Sequence, residues 1–320
     1  MCSSGPLPCN NPHPPSLRPR TPCRGPFLCR KKRAMKLTVL SENASLRPEL
    51  EAEFGLSMYV EKGNTRLLFD LGERGAALKN AVTMGIDLNG VTAVAFSHNH
   101  RDHCGGFLPY CERFHPQCPV YVHQGFFVNK WWDHRMDPPE QSTYEDAVEH
   151  VGPPFSPEYP FRMGLPRFRM LPQDTFYLGD GIYLLGNFPI PTGVETVHPS
   201  SCRETSLGEL TLDDFREEQI CVIDTSAGLI VLTGCAHNGI MNILDTVSLR
   251  FPGRPLLSVY GGTHLVPPEE ERIRATAEYL SRHVGCCGVC HCTGETGLAV
   301  LSQLAGYVPV GSGFSVEYPD

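Results

Sequence analysis

No apolar run in this 320-residue chain approaches the roughly 18 to 20 residues that a helix needs to cross a bilayer, so a protein free of the membrane is expected. The N-terminus also lacks the uninterrupted apolar segment of a secretory signal, and its many prolines would spoil the amphipathic helix of an organellar transit peptide. Basic charge is scarce as well. Lys and Arg number 27 against 35 Asp and Glu, a net of −8. Seven of the 27 lie in the first 34 residues, which hold no acid, leaving 20 against 35 in the remainder, a net of −15. A body that acidic lacks the broad basic surface that tracks a phosphate backbone, which argues against nucleic acid as a partner and against a nuclease.

Cysteine, by contrast, is plentiful at fourteen residues. With no route to an oxidising compartment, these are expected as reduced thiols in the cytoplasm and not as a disulfide framework. Cys287-x-x-Cys290 has zinc or redox spacing, but without a second such pair buried thiols are the default.

Residues 1–34 hold eight prolines and four cysteines beside their seven basic groups, a composition that cannot bury enough apolar surface to order itself. They read either as a disordered leader or as sequence ahead of the true start at Met35, where Met35-Lys36-Leu37-Thr38-Val39-Leu40 opens a first strand. Residues 35–320 read as one domain. Short β-branched runs (Leu37–Leu40, Gly55–Val60, Thr65–Phe69, Ala93–Ser97, Val120–His123) alternate with helical stretches at Glu73–Met84 and Gly106–Phe114. The pattern returns further on, with strands at Phe176–Tyr177, Ile182–Leu185, Gln219–Asp224, Gly228–Thr233 and Leu256–Tyr260, and helices at Gly239–Arg250, Pro268–His283 and Glu295–Leu304. The class is α/β. Residues 129–169, between the halves, carry Trp131, Trp132, His134 and seven prolines; a lid is expected there, its adjacent tryptophans able to stack on a flat substrate ring.

Chemistry concentrates in His98-Asn99-His100-Arg101-Asp102-His103, directly after the apolar run Val91–Phe96. Three imidazoles and a carboxylate in six positions cost desolvation that a bound cation offsets, and zinc, manganese and iron all accept such donors. On an extended backbone His98 and His100 share a face and grip one cation, while Asp102 and His103, past the turn, face a second. Gly105-Gly106 lets the chain turn tightly beside them. In the second half, Leu232-Thr233-Gly234-Cys235-Ala236-His237 follows a strand and opens a helix, setting a thiol and an imidazole at the sheet's edge.

The segment Ser97–Gly106 resembles the signature of the metallo-β-lactamase superfamily, a set of mostly dinuclear metallohydrolases, and Leu67-Leu68-Phe69-Asp70-Leu71-Gly72 is similar to that superfamily's Asp-x-Gly loop. The resemblance implies a four-layer αββα sandwich and two divalent ions, zinc foremost, with manganese or iron admitted. It implies that Asp70 supports the metal-binding loop and that His98, His100, Asp102 and His103 are ligands. Cys235 stands where many members carry a bridging aspartate, His237 can fill the role of an intervening histidine, and His264 in Gly261-Gly262-Thr263-His264-Leu265 matches the final metal histidine.

Gly234–Ile240, Gly261–Leu265 and His291-Cys292-Thr293-Gly294 together look like the subfamily named for 7,8-dihydropterin-6-ylmethyl-4-(β-D-ribofuranosyl)aminobenzene-5'-phosphate synthase. That likeness implies a small pterin or phosphorylated substrate and the release of diphosphate. In a hydrolysis Asp102 would ligate one metal and orient the nucleophile, and His291, with Thr293 beside it, would bind a substrate anion or give a proton. The alternatives are a thioester, lactone or phosphodiester hydrolase and, in another class, a metal-binding protein without turnover.

Overall fold

The computed structural model describes Met1 and residues 34–137, 147–191 and 193–319, and in it strand residues sort by parity. Leu37, Val39, Met58, Val60, Leu67, Phe69, Ala93 and Ala95 meet Ile182, Leu184, Cys221, Ile223, Ile230 and Leu232 in one buried cluster between two sheets. Their neighbours Tyr59, Leu68 and Val94 turn the other way, onto Ala77, Ala81, Phe107 and Tyr110 of the helices Ala76–Thr83 and Phe107–Phe114. Val222, Leu229 and Val231 likewise turn onto Ile240, Ile243 and Leu244 of the helix Ile240–Arg250, with Ile273, Leu280 and Leu301 of the helices Glu270–His283 and Gly294–Leu301. Because both faces of each sheet are covered, the strands read as near-continuous apolar runs. Each Leu, Ile, Val or Phe so buried contributes about 1.5–3 kcal/mol against the entropy of ordering the chain. The result is the αββα sandwich.

The first sheet orders its strands as Ser315–Tyr318, Met35–Ser41, Ser57–Lys62, Thr65–Phe69, Ala93–Ala95, Val120–His123 and Phe168–Leu171, antiparallel through the first four and parallel thereafter. The second runs Val284–Val289, Leu256–Gly261, Gly228–Leu232, Ile220–Thr225, Ile182–Leu185 and Thr175–Gly179, parallel through the first three. The parallel strands of the two sheets supply the loops that carry the site.

The sequence did not announce Val284–Val289, whose Val-Gly-Cys-Cys-Gly-Val has neither alternation nor β-branched density; its parallel pairing with Leu256–Gly261 makes it a strand. Nor did it announce a small sheet of Leu210–Leu212, Ser201–Glu204, Lys130–Asp133 and Val148–His150. Apart from Met1 and Ala34, the segment 1–34 lies outside the described residues, as does 138–146 within the expected lid. The ten described cysteines are free thiols, and Cys287 and Cys290 pack in different core clusters. Among the described residues no helix is long and apolar enough to cross a membrane.

Candidate metal centre

Hydrogen-bonded strand ends at Ala95, and the chain then bends through Ser97–His100 into a single helical turn, Arg101–Cys104. Asp70, in the loop after Thr65–Phe69, holds this bend. Its Oδ1 accepts the Ser97 backbone N–H at 2.7 Å, and its Oδ2 accepts the Ser97 hydroxyl at 2.7 Å and His103 Nδ1–H at 2.8 Å. Gly105 and Gly106 serve close approach here, not a turn. A Cβ on either would stand 2.3 Å from Glu73 O or 2.1 Å from Leu71 O, while both backbones are ordinary right-handed helix.

These bonds fix which imidazole nitrogen is bare. His103 gives its Nδ1 proton to Asp70, so in the neutral ring its Nε2 presents a lone pair. His291 gives its Nδ1 proton to Asn43 Oδ1 at 2.9 Å, and its backbone N–H is held by Glu42 at 2.8 Å. The two Nε2 atoms then face one another at 3.1 Å, with Asp102 Oδ2 3.1 Å from the second. A second such pair lies alongside. With the Ser97 hydroxyl committed to Asp70, its oxygen accepts from His98 Nδ1 at 2.9 Å, and His98 Nε2 faces His237 Nε2 at 3.3 Å. Nitrogens facing this closely need positive charge between them, either a ring proton or a cation.

The donors form overlapping groups whose atoms lie within 4.8 Å of one another: His98, His100 and His237; Asp102, His103 and His291; and Cys235 with His98 and His103. The Cys235 thiol, 3.1 Å from His103 Nε2, thus adjoins both histidine sets. Burial and neighbouring imidazoles push His98 and His237 well below their ordinary range, and burial pushes His100 down to about 3, so all three are neutral donors near pH 7. Burial works to raise Asp102, but His103, His291 and His100 outweigh it and hold the carboxyl well below its usual range. Burial likewise works to lower His103, and Asp102 and Asp70 outweigh it and raise it. The local field favours a cation. The chemistry of the donor set fits divalent metal.

His291, expected from sequence to bind a substrate anion or donate a proton, groups with Asp102 and His103, and His264, expected as the final ligand, lies outside the donor groups. Both end strand–loop segments at positive φ, 45° for His264 and 53° for His291, but His264 packs its ring 4.2 Å from that of His237 on the cavity wall. Trp131 and Trp132 separate because adjacent strand residues point to opposite faces. Trp132 lines the cavity and stacks on His198, whereas Trp131 packs against His150 away from it. Thr293 is buried, bonding Cys290 O at 2.7 Å, and does not line the cavity. Of the expected lid, Trp132, His134, Glu149 and Val151 face the cavity, while Phe155 and Leu165 pack into core.

Several participants had no signal in the sequence. Phe215 stacks flat on His237 with centroids 3.8 Å apart, and the buried Lys130 ammonium sits 4.7 Å from the Phe215 ring, paired with Asp213 and Glu217. Glu218 accepts the backbone N–H groups of His237 and Asn238 at 2.7 and 2.8 Å. Among the described residues, five of the eight non-glycine residues at positive φ (Asp70, Phe215, Ala236, His264, His291) lie here, as strained backbone does at functional sites. The donors open onto a cavity of about 780 Å³, also lined by Phe54, Arg74, Arg101 and Val266.

The model of the metallo-beta-lactamase superfamily matches residues 50–209, half of the chain, and with this fold and donor set the chain belongs to that superfamily. The fold implies binding of divalent metal, and members are enzymes acting on small molecules. A protein of Methanocaldococcus jannaschii named 7,8-dihydropterin-6-methyl-4-(beta-D-ribofuranosyl)-aminobenzene-5'-phosphate synthase is 26% identical over 278 residues, 81% of this chain and 88% of its own. The solved structure of Tm1679, described as a metal-dependent hydrolase of the beta-lactamase superfamily, matches with a TM-score of 0.74 at 27% identity over 89% of this chain and 100% of its own. YhfI from Bacillus subtilis, a metallo-beta-lactamase fold protein, shares the fold at 14% identity and a TM-score of 0.52, over 89% of this chain and 99% of its own.

Proposed function

We propose that the cavity holds two divalent ions, zinc in the first instance, and that the chain is a cytoplasmic enzyme that releases diphosphate from a pterin-type substrate. The observation that carries the metal reading is the buried convergence of donors, His98, His100 and His237 in one group and Asp102, His103 and His291 in another, each within 4.8 Å, with the outer nitrogens of His98, His103 and His291 already committed. His98, His100 and His237 would hold one ion, and Asp102, His103 and His291 the other, with Cys235 adjoining both sets. Bound there, divalent cations supply Lewis acidity and neutralise charge on a departing or attacked oxygen.

The finer reading rests on the likeness to the M. jannaschii synthase. In it an arylamine nitrogen bonds to the methylene carbon of a dihydropterin methyl diphosphate. The carbon–oxygen bond breaks, diphosphate leaves with the electron pair, and the nitrogen gives up a proton. Phe54, more than half exposed beside His291, and Trp132 offer flat surfaces to such rings. The ten free thiols among the described residues fit a reducing compartment.

Elemental analysis of protein purified without added metal tests the first part. About two equivalents are expected in the wild type and fewer in His100→Ala and His291→Ala. Near-zero content, persisting after reconstitution with zinc, manganese and iron, sinks the proposal. Loaded protein should then release diphosphate only when pterin diphosphate and arylamine are both present. Turnover of thioesters, lactones or phosphodiesters without it supports the second reading, a hydrolase as Tm1679 is described.

A further inference from the structure

Cys292 shares the cavity wall with Cys235. The sulfurs of Cys235 and Cys292 and a ring nitrogen of His291 form a donor group within 4.8 Å, distinct from the Asp102–His103–His291 group but with His291 in common. The surrounding backbone is shaped to this thiol. A Cβ on Gly262 would stand 2.4 Å from Cys292 Sγ, so the missing side chain at 262 is what leaves it room. The thiol donates to Cys235 O at 3.5 Å, while Thr263 donates to Thr293 at 3.0 Å and Thr293 to Cys290 O at 2.7 Å, pinning the loop around it. Both cysteines are free.

We infer that Cys292 supplies a second thiolate, beside that of Cys235, to the ion nearest His291. This rests on the metal reading of the cavity. Each thiol gives up its proton as the metal–sulfur bond forms. Two soft donors make that position selective for zinc, cadmium or cobalt over magnesium or manganese, a preference that an Asp-His-His position alone would not impose.

The test loads fully reduced, metal-free protein with Co²⁺ and follows sulfur-to-cobalt charge-transfer absorption in the near ultraviolet. The band is expected to fall by about half in Cys235→Ser and in Cys292→Ser and to vanish in the double variant, with the visible cobalt bands persisting through the histidines. In wild-type protein, Co²⁺ should also protect Cys292 from alkylation, mapped by peptide mass spectrometry; this arm needs no variant to fold. An undiminished charge-transfer band in Cys292→Ser at equal cobalt content, or alkylation of Cys292 unaffected by Co²⁺, overturns the inference and leaves the metal centre standing. Failure of the wild type to take up any cobalt overturns both.

Discussion

Asp70 spends its whole carboxylate on the bend that carries the donors, and its substitution isolates what that support is worth. Asp70→Asn keeps the shape but turns an NH₂ toward either a Ser97 donor or His103 Nδ1–H, leaving a donor facing a donor. Ion affinity is expected to fall about 10- to 100-fold, read by competition with a chromophoric chelator. Unchanged affinity would reduce Asp70 to a packing role. At this scale the sequence was legible where donors are contiguous: His98, His100, Asp102 and His103 are fixed relative to one another by six residues of chain. It did not give the placement of the two later histidines relative to Asp102. His264 and His291 both follow a strand of the second sheet, and which one reaches Asp102 depends on how their loops close over the first half, with Asn43 and Glu42, nearly 250 residues away, anchoring His291.

The strand Lys130–Asp133 and the turn around Phe215 act together as one element behind His237. Lys130, Asp213 and Glu217 are all buried, so removing the ammonium leaves two carboxylates without a counter-charge. Lys130→Ala should therefore cost about 3–5 kcal/mol in urea unfolding, whereas Lys130→Ala with Asp213→Ala and Glu217→Ala should recover much of it. Burial drives Glu217 up to about 7 against the pull of Lys130, from an ordinary 4.5. The folded state thus holds that proton more tightly than the unfolded chain. The corresponding stability is complete below about pH 4.5 and is lost as pH rises through about 7. In Glu217→Gln that decline should flatten, checked by unfolding free energies measured at pH 5 and pH 8. None of this was visible in the sequence, because Lys130 and Glu217 are 87 residues apart and their elements are brought together by Ser201–Glu204, which pairs with both Lys130–Asp133 and Leu210–Leu212. The same pairing decides the tryptophans, since strand alternation gives Trp132 alone to the cavity.

At the scale of the molecule, the halves were readable because alternating and continuous apolar runs mark the strands and the helices between them carry strong patterns. The small sheet and Val284–Val289 were not, since partners from distant chain supply their pairing. The donors come from both halves, so an ion bound only by the native state stabilises the entire domain. At 100 times its dissociation constant that amounts to about 2.7 kcal/mol. Each kcal/mol raises the melting midpoint of a domain of this order of size by about 2–4 °C. Calorimetry should show the rise on adding zinc to metal-free protein and its reversal by a chelator; a midpoint indifferent to zinc would mean the two halves are joined without it.

His103 and His291 meet across 188 residues of chain, and an ion between them would close that span into a ring. Such a ring behaves as a cross-link that opens only when its ion departs. The lifetime of the folded molecule would then depend on how long the ion stays bound.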